Sequence, residues 1–171
     1  NTTGTKNLAS GYASLVANTT GNENVALGYL ALVSNTTASF NTAVGSRALQ
    51  DNTTGNSLTA VGDGALENNT TGVGNIAIGR SALLTNTTGG TNVVAGRNAL
   101  EENTTGTENV ALGYGAGDAL TTGNSNVFLG SQTDPSAVDA TNQIVIGVDI
   151  AGTANDQVSI GKTSNIVSND F

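Results

Sequence analysis

The sequence predicts an all-β fold: a parallel β-solenoid, or β-roll, in which one short unit stacks on itself in roughly nine coils. An asparagine that opens an Asn-Thr-Thr triplet recurs with a 17-residue period from Asn1 to Asn103. A glycine keeps the same 17-residue step from Gly11 to Gly130. Such a short, fixed period is typical of a supersecondary unit that contacts only its neighbours in a stack. The sequence therefore predicts an elongated repeat protein rather than a globular domain.

The composition limits both the width of the core and the available chemistry. The 171 residues include 23 Gly but no Trp and no Met, and only 4% are aromatic, so we expect a narrow core. The absence of Cys and His excludes disulfides and thiolate sites, and it removes the commonest metal ligand and general base. We therefore expect no metal, no cofactor and no enzymatic activity.

The charge and the lack of long apolar runs argue against two classes of partner, nucleic acids and membranes. The net charge is −8 with only five Lys and Arg, whereas binding to a phosphate backbone depends on basic patches, so we expect no nucleic acid. No apolar run approaches the ~20 residues of a membrane span, so we expect no membrane insertion. Because the chain begins inside a repeat, we interpret it as a segment of a longer protein.

Each unit contains a short strand that runs from an asparagine to the glycine. Examples are residues 24–28 (Asn-Val-Ala-Leu-Gly) and 75–79 (Asn-Ile-Ala-Ile-Gly). Alternation places Asn, Ala and Gly on one face and Val, Ile or Leu on the other, and both faces are nearly free of charge. A strand that is apolar on both faces needs packing partners inside and outside the coil, which points to an assembly. The residues predicted to form structural ladders along the stack are Asn18, Asn24, Gly28, Asn69, Asn75, Gly79, Asn103, Asn109 and Gly113.

The remainder of the unit is predicted to contain a turn and a second short strand. In Asn-Thr-Thr-Gly, Asn bonds its own chain and Gly takes a position with φ > 0. The second strand is placed at residues 31–33, 65–66 and 82–84. A helix is disfavoured there because it would be about one turn long and flanked by Gly and by Asn-Thr-Thr.

The spacing divides the chain into three parts. Residues 1–130 form the regular 17-residue array, in which Leu58 replaces one strand asparagine. Residues 131–142 hold the only proline and are predicted to form a loop or cap. Residues 143–171 are predicted to form shorter terminal coils and a stalk, because the step from Gly147 to Gly161 is a 14-residue one.

The strand-plus-glycine motif, with a small residue three positions after the glycine, resembles the head repeats of trimeric autotransporter adhesins. That resemblance implies a left-handed β-roll, a homotrimer and the shorter 14-residue period. A narrower resemblance is to bacteriophage tail fibres and related surface fibres with Asn-Thr-Thr-Gly arrays. In those proteins, segments similar to residues 154–161 and 167–171 precede a self-cleaving intramolecular chaperone domain that assembles the trimer. This resemblance implies an extracellular or virion-surface location.

The Asn-Thr-Thr triplets have three interpretations. All seven are formal N-glycosylation acceptors, but glycans on consecutive coils would be anchored only ~4.8 Å apart, so a ladder of turn residues is favoured. Stacked Thr columns also suggest a third interpretation, ice binding, and the repeats resemble those of grass antifreeze proteins. Adjacent Thr side chains diverge on an ideal strand, which weighs against that alternative.

A third function, a glycan-degrading spike, would require paired carboxylates. The 13 acidic residues are scattered, and Glu101-Glu102 is the only adjacent pair. Recognition is the better prediction for the variable positions. Aromatic and Arg side chains there are candidates for contact with a host-surface glycan or protein receptor. The candidates are Tyr12, Tyr29, Arg80, Arg97 and Tyr114 directly after the strand glycine, and Phe40 just before a strand asparagine. The sequence thus predicts a non-enzymatic, homotrimeric extracellular fibre segment.

Overall fold

The structure, a computed structural model that describes residues 1–162 and 165–170, consists of short strands and turns, and no helix occurs in those ranges. The predicted all-β parallel solenoid is confirmed. Phe171, the end of the predicted stalk, lies outside the described residues. The strands are β1 Leu8–Ser10, β2 Val25–Leu27, β3 Thr42–Val44, β4 Thr59–Val61, β5 Ile76–Ile78, β6 Val93–Ala95, β7 Val110–Leu112, β8 Val127–Leu129, β9 Thr133–Asp134, β10 Ile144–Val148, β11 Ile150–Ala151, β12 Gln157–Lys162 and β13 Asn165–Asp170.

One eleven-stranded sheet runs the length of the stack, in the order β1 to β8, β10, β12 and β13. Each strand of the array pairs in parallel with the equivalent strand of the next coil, as Ala9 does with Ala26. The last parallel step pairs Ile144 with Val158, which confirms the predicted 14-residue coil. The final strand, β13, is antiparallel to β12. The left hand of the coil and the homotrimer stay predictions.

The two faces of the strand differ in burial. In β2, Ala26 is fully buried, whereas Val25 and Leu27 on either side of it are only partly covered. We call the Asn/Ala side the inner face and the Val/Ile/Leu side the outer face. The inner face supplies one column of the core: Ala26, Ala43, Ala60, Ala77, Val94, Ala111, Phe128 and Val145.

The predicted second strand is wrong. The segment after the strand glycine is a series of tight turns, in which Ala31 N–H donates to the carbonyl of Gly28 and Val33 N–H to that of Leu30. Leu30 and Leu32 have φ values of 57° and 52°, which no strand accommodates. The same left-handed backbone occurs at Leu66 and Leu83 in the other two predicted segments. A coil this narrow must reverse its direction within a few residues. The left-handed backbone at Leu30 and Leu32 achieves this reversal and buries the Leu32 side chain.

The predicted role of the Asn-Thr-Thr-Gly glycine is also wrong. Gly21 does not have a left-handed φ, but a Cβ at that position would lie 2.2 Å from the carbonyl oxygen of Ala38 in the next coil. Glycine is therefore favoured there by close stacking of backbones. Besides the leucines described above, positive φ values occur at the strand glycine, such as Gly28 with φ 142°, and at the residue before the strand asparagine, such as Glu23 with φ 56°.

Residues 131–142, predicted to be a loop or cap, remain stacked on the preceding coil. Gly117 N–H donates to the carbonyl of Thr133 at 2.6 Å, and Thr121 N–H donates to that of Val138 at 2.7 Å. Within this segment β9 pairs in parallel with β11, which forms a separate two-stranded sheet. The bond between Gly117 and Thr133 is equivalent to the one in the array in which Leu100 N–H donates to the carbonyl of Ala116, so the segment keeps the register of the stack.

Candidate functional site

A first ladder of buried asparagines, which we call the turn ladder, follows the first Asn of each Asn-Thr-Thr triplet. Each amide nitrogen donates to the side-chain oxygen of the equivalent Asn one coil earlier. For example, Asn86 Nδ2 lies 2.8 Å from Asn69 Oδ1 and also donates to Gly89 O at 3.0 Å. Six amide nitrogens make both bonds: those of Asn18, Asn35, Asn52, Asn69, Asn86 and Asn103.

This ladder bears directly on glycosylation. An amide nitrogen has two hydrogens, and in these six residues both are donated to partners in the protein interior. The residues are also buried almost completely. A glycan linked to Nδ2 would require the nitrogen to reach solvent, so the folded coil protects these acceptor sequences. Asn1, in the first coil, is exposed.

A second ladder, the strand ladder, follows the asparagine that precedes each strand. Asn92 shows the pattern: its backbone N–H and its Nδ2 both donate to Asn75 Oδ1, at 2.9 and 3.0 Å. Its Nδ2 also donates to Gly106 O at 2.9 Å, and that carbonyl accepts from Asn103 of the turn ladder. The shared carbonyl ties the two ladders together. The asparagines of this ladder are Asn7, Asn24, Asn41, Asn75, Asn92, Asn109 and Asn126.

Each ladder has a leucine at one position where the other coils have asparagine: Leu58 in the strand ladder and Leu120 in the turn ladder. Leu58 accepts no side-chain bond but still donates its backbone N–H to Asn41 Oδ1 at 2.9 Å. Leu120 ends the turn ladder and leaves the buried Asn103 Oδ1 without a partner. The structure places all nine predicted ladder residues in these stacks, with the strand glycines stacked on one another.

The two Thr columns have different roles. From Thr19 onward, the first Thr of each turn donates its hydroxyl to a backbone carbonyl of the next coil, as Thr87 Oγ1 does to Thr104 O at 3.1 Å. The second Thr is exposed in every complete coil of the array. These exposed residues are Thr20, Thr37, Thr54, Thr71, Thr88, Thr105 and Thr122.

The outer face of the sheet is an exposed apolar surface along the stack. Ile76 and Ile78 are 38% and 46% exposed in the middle of the array. Other large apolar side chains continue the surface in both directions. They include Leu8, Val61, Val93, Leu112, Ile144, Val148 and Ile160.

Five of the six predicted contact residues lie on one column, directly after the strand glycine. The Tyr12 and Tyr29 rings are stacked with centroids 5.6 Å apart, and the Arg97 guanidinium lies 5.3 Å from the centroid of the Tyr114 ring. Arg80 is one coil from Arg97, since Asn98 N–H donates to Arg80 O at 3.0 Å. We call this the tyrosine–arginine column. Its members are Tyr12, Tyr29, Ser46, Asp63, Arg80, Arg97, Tyr114 and Ser131.

Phe40 stands on a separate column, before the strand. It is 59% exposed and follows Lys6 and Glu23 of the two preceding coils, whose side chains form an ion pair at 2.9 Å. Its φ of 62° places a bulky residue in the left-handed region. The structure therefore does not bring Phe40 together with the other five candidates.

One pair of acids was not predicted. Burial, a hydrogen bond with the Asp118 side chain and the charge of Asp118 raise the pKa of Asp134 to about 6. Because these residues are 16 apart, the 17-residue period does not bring them into register. Glu101 and Glu102 lie in the turn segment of the preceding coil, where Glu102 N–H donates to the carbonyl of Asp118 at 3.3 Å. No pocket opens in the described part of the chain.

The comparison found no protein family, no curated protein and no solved structure with significant similarity. Within residues 1–162 and 165–170, no helix is long and apolar enough to cross a membrane. The same ranges contain no cluster of three or more acidic residues arranged to hold a metal ion. Function must therefore be argued from the surfaces described above.

Proposed function

We propose that this chain is a structural and surface-recognition segment of an extracellular trimeric fibre, such as a phage tail fibre or an adhesin. The observation that carries the proposal is the apolar outer face, which runs along the sheet from β1 to β12 and is left partly uncovered by the chain's own turns. A contiguous exposed apolar surface of this kind is typical of a protein interface.

A second and a third copy of the chain are the occupants that fit this face. The face repeats with the coil, so an identical chain lying alongside presents the same spacing of apolar side chains. Closed symmetric assembly is the common solution for such self-complementary surfaces. The resemblance of the repeat to trimeric adhesin heads supports three copies rather than two.

The interior supports a mechanical role. Two asparagine ladders and a continuous parallel sheet connect each coil to the next by hydrogen bonds along the rod. Such a stack is elongated and depends only on neighbour contacts, which suits a shaft that holds a binding surface away from its base. Three copies would also present every surface column three times, so weak contacts gain through effective concentration.

The experiment compares Ile78→Asp with the control Val73→Asp. Both side chains are exposed and apolar, but Val73 lies outside the strand and outside the outer face. We expect the wild type and Val73→Asp to elute with the mass of three chains in size exclusion with light scattering, and Ile78→Asp to elute as one chain. Equal behaviour of the two variants would refute the proposed interface.

Ice binding is the second candidate, and the exposed second Thr of each triplet favours it. Seven such residues stand at the coil spacing of ~4.8 Å, a regular array of hydroxyl and methyl groups. The adjacent first-Thr column does not reinforce it, because those hydroxyls donate to backbone carbonyls. Thermal hysteresis that is present in the wild type and lost in Thr71→Lys/Thr88→Lys would establish this function. Its absence in the wild type would eliminate it.

A further inference from the structure

Among the residues that the structure describes, Arg80 and Arg97 of the tyrosine–arginine column have no acidic partner, although the chain is acidic. Arg80 and Arg97 are both exposed and stand at the same position of consecutive coils. In the described part of the chain, the ion pairs involve other cations: Lys6 pairs with Glu23, and Arg47 lies 3.5 Å from Asp63 and 3.7 Å from Glu67.

The acidic surroundings of Arg80 and Arg97 do not neutralise them. Asp63 is one coil before Arg80 on the same column, yet its carboxylate is engaged by Arg47 instead. With a net charge of −8, the rod repels anions in general, and the two arginines are a local exception. Backbones of consecutive coils lie ~4.8 Å apart, so one anionic group can contact both guanidinium groups.

An aromatic ring completes the site on the next coil. Tyr114 is 47% exposed, and Arg97 covers one side of its ring at 5.3 Å from the centroid. The next residue of the column is Ser131, which is too small to cover the other side. Exposed aromatic rings provide flat apolar surfaces on which the C–H faces of sugar rings pack.

We infer that Arg80, Arg97 and Tyr114 form a binding site for an acidic polysaccharide. The two guanidinium groups hold a carboxylate or sulfate of one sugar, and a neighbouring sugar ring packs on Tyr114. Guanidinium groups match the planar geometry of such anions and form paired hydrogen bonds with them. The inference rests on the recognition role proposed above and specifies its ligand class.

The location suits a site that remains accessible in the trimer. Charged residues are depleted in the cores of protein interfaces and frequent at their rims. The column lies at the corner that follows the outer face, because one glycine separates Ile78 from Arg80. A position at the rim places three copies of the site on the outside of the fibre, where one long polysaccharide can contact more than one copy.

Binding of polygalacturonate, dextran sulfate and neutral dextran to the full chain tests the inference by isothermal titration calorimetry. The variants are Arg80→Gln/Arg97→Gln, Tyr114→Ser and the control Arg47→Gln, which removes one charge from a compensated site. We expect about fivefold weaker binding for each lost arginine and a smaller loss for Tyr114→Ser. Arg47→Gln and wild type should bind alike, and neutral dextran should not bind.

The two polyanions distinguish the source of the anion, since polygalacturonate carries carboxylates and dextran sulfate carries sulfates. Binding of either one that depends on both arginines and on Tyr114 supports the site. The inference is overturned if neither polyanion binds, if Arg47→Gln weakens binding as much as the double variant, or if duplex DNA competes equally well. Light scattering on the same samples separates the two proposals: a trimer without binding refutes only this site, and a monomer with binding refutes only the fibre.

Discussion

The two faces of one short strand differ in how far the chain itself buries them. On the inner face, Asn75 and Ala77 are fully buried, and Asn75 hydrogen-bonds to Gly89 and Asn92 of the next coil. On the outer face, Ile76 and Ile78 are equally apolar or more so, yet remain about two-fifths exposed. The inner face is covered within one chain, whereas the outer face remains partly exposed. We propose from this difference that the same repeated unit encodes two separate processes, stacking of coils and association of chains.

The largest expected effect concerns the inner face. Asn86→Ala removes two donated bonds, to Asn69 and Gly89, and one accepted from Asn103. At about 1 kcal/mol for each bond, the free energy of unfolding should fall by about 3 kcal/mol in denaturant titrations. The control Thr88→Ala, an exposed residue of the same triplet, should change it by less than about 0.5 kcal/mol. Equal losses in the two variants would contradict the ladder's role.

A size exchange between the faces sharpens the comparison further. Ala77→Ile places a large side chain between Ala60 and Val94 of the inner column, so overpacking should cost about 2 kcal/mol of unfolding free energy. Ile78→Ala should change the stability of a single folded chain by less than about 1 kcal/mol but lower the mass in solution. Denaturant melts and light scattering measure the two effects. A monomer-sized Ala77→Ile with normal stability would reverse the assignment of the faces.

The Asp118–Asp134 pair predicts a pH dependence near the C-terminal end of the array. The pKa of Asp134 is raised from 3.8 to about 6 in the folded chain, so the folded state binds the proton more tightly. Its stabilising contribution is therefore present below pH 3.8 and is lost as the pH rises through 6. After allowance for solvent screening, we expect a loss of about 1 kcal/mol over this window.

Asp134→Asn should flatten that pH dependence in thermal melts taken between acidic and neutral buffers. The exposed Glu102→Gln is the matched control and should retain the wild-type slope. An equal slope of stability against pH in all three proteins would contradict the assignment.

The smallest expected effect concerns a column outside both faces. Thr91 has a φ of 56°, a strained value for a β-branched residue, whereas Gly74 occupies the same position one coil earlier. Thr91→Gly should be more stable than Thr91→Ala by about 1 kcal/mol, the reverse of the usual order of these residues. Thr54, which does not have a positive φ, should show the usual order in the same pair of substitutions. Thermal melts of the four variants would reveal whether the sign changes.

The sequence predicted the features that depend only on the spacing of the repeat and on the alternation of apolar residues. The 17-residue period, the strand, the narrow core and the shorter terminal coil follow from spacing and alternation. The second strand was wrong because Leu30 and Leu32 adopt a left-handed backbone that no leucine propensity predicts. Asp118 and Asp134 were missed because they are 16 residues apart, one less than the period, so they belong to different columns of the stack. The column of Tyr and Arg was visible in the sequence, but the contact of Arg97 with the Tyr114 ring depends on side-chain conformations that spacing does not predict.

Sedimentation equilibrium of the unmodified chain over a range of concentrations tests the central claim most directly. The outer face predicts a mass of three chains of 16.9 kDa each, with dissociation only on dilution. A mass of one chain at every concentration would contradict the claim that the outer face is an interface between copies.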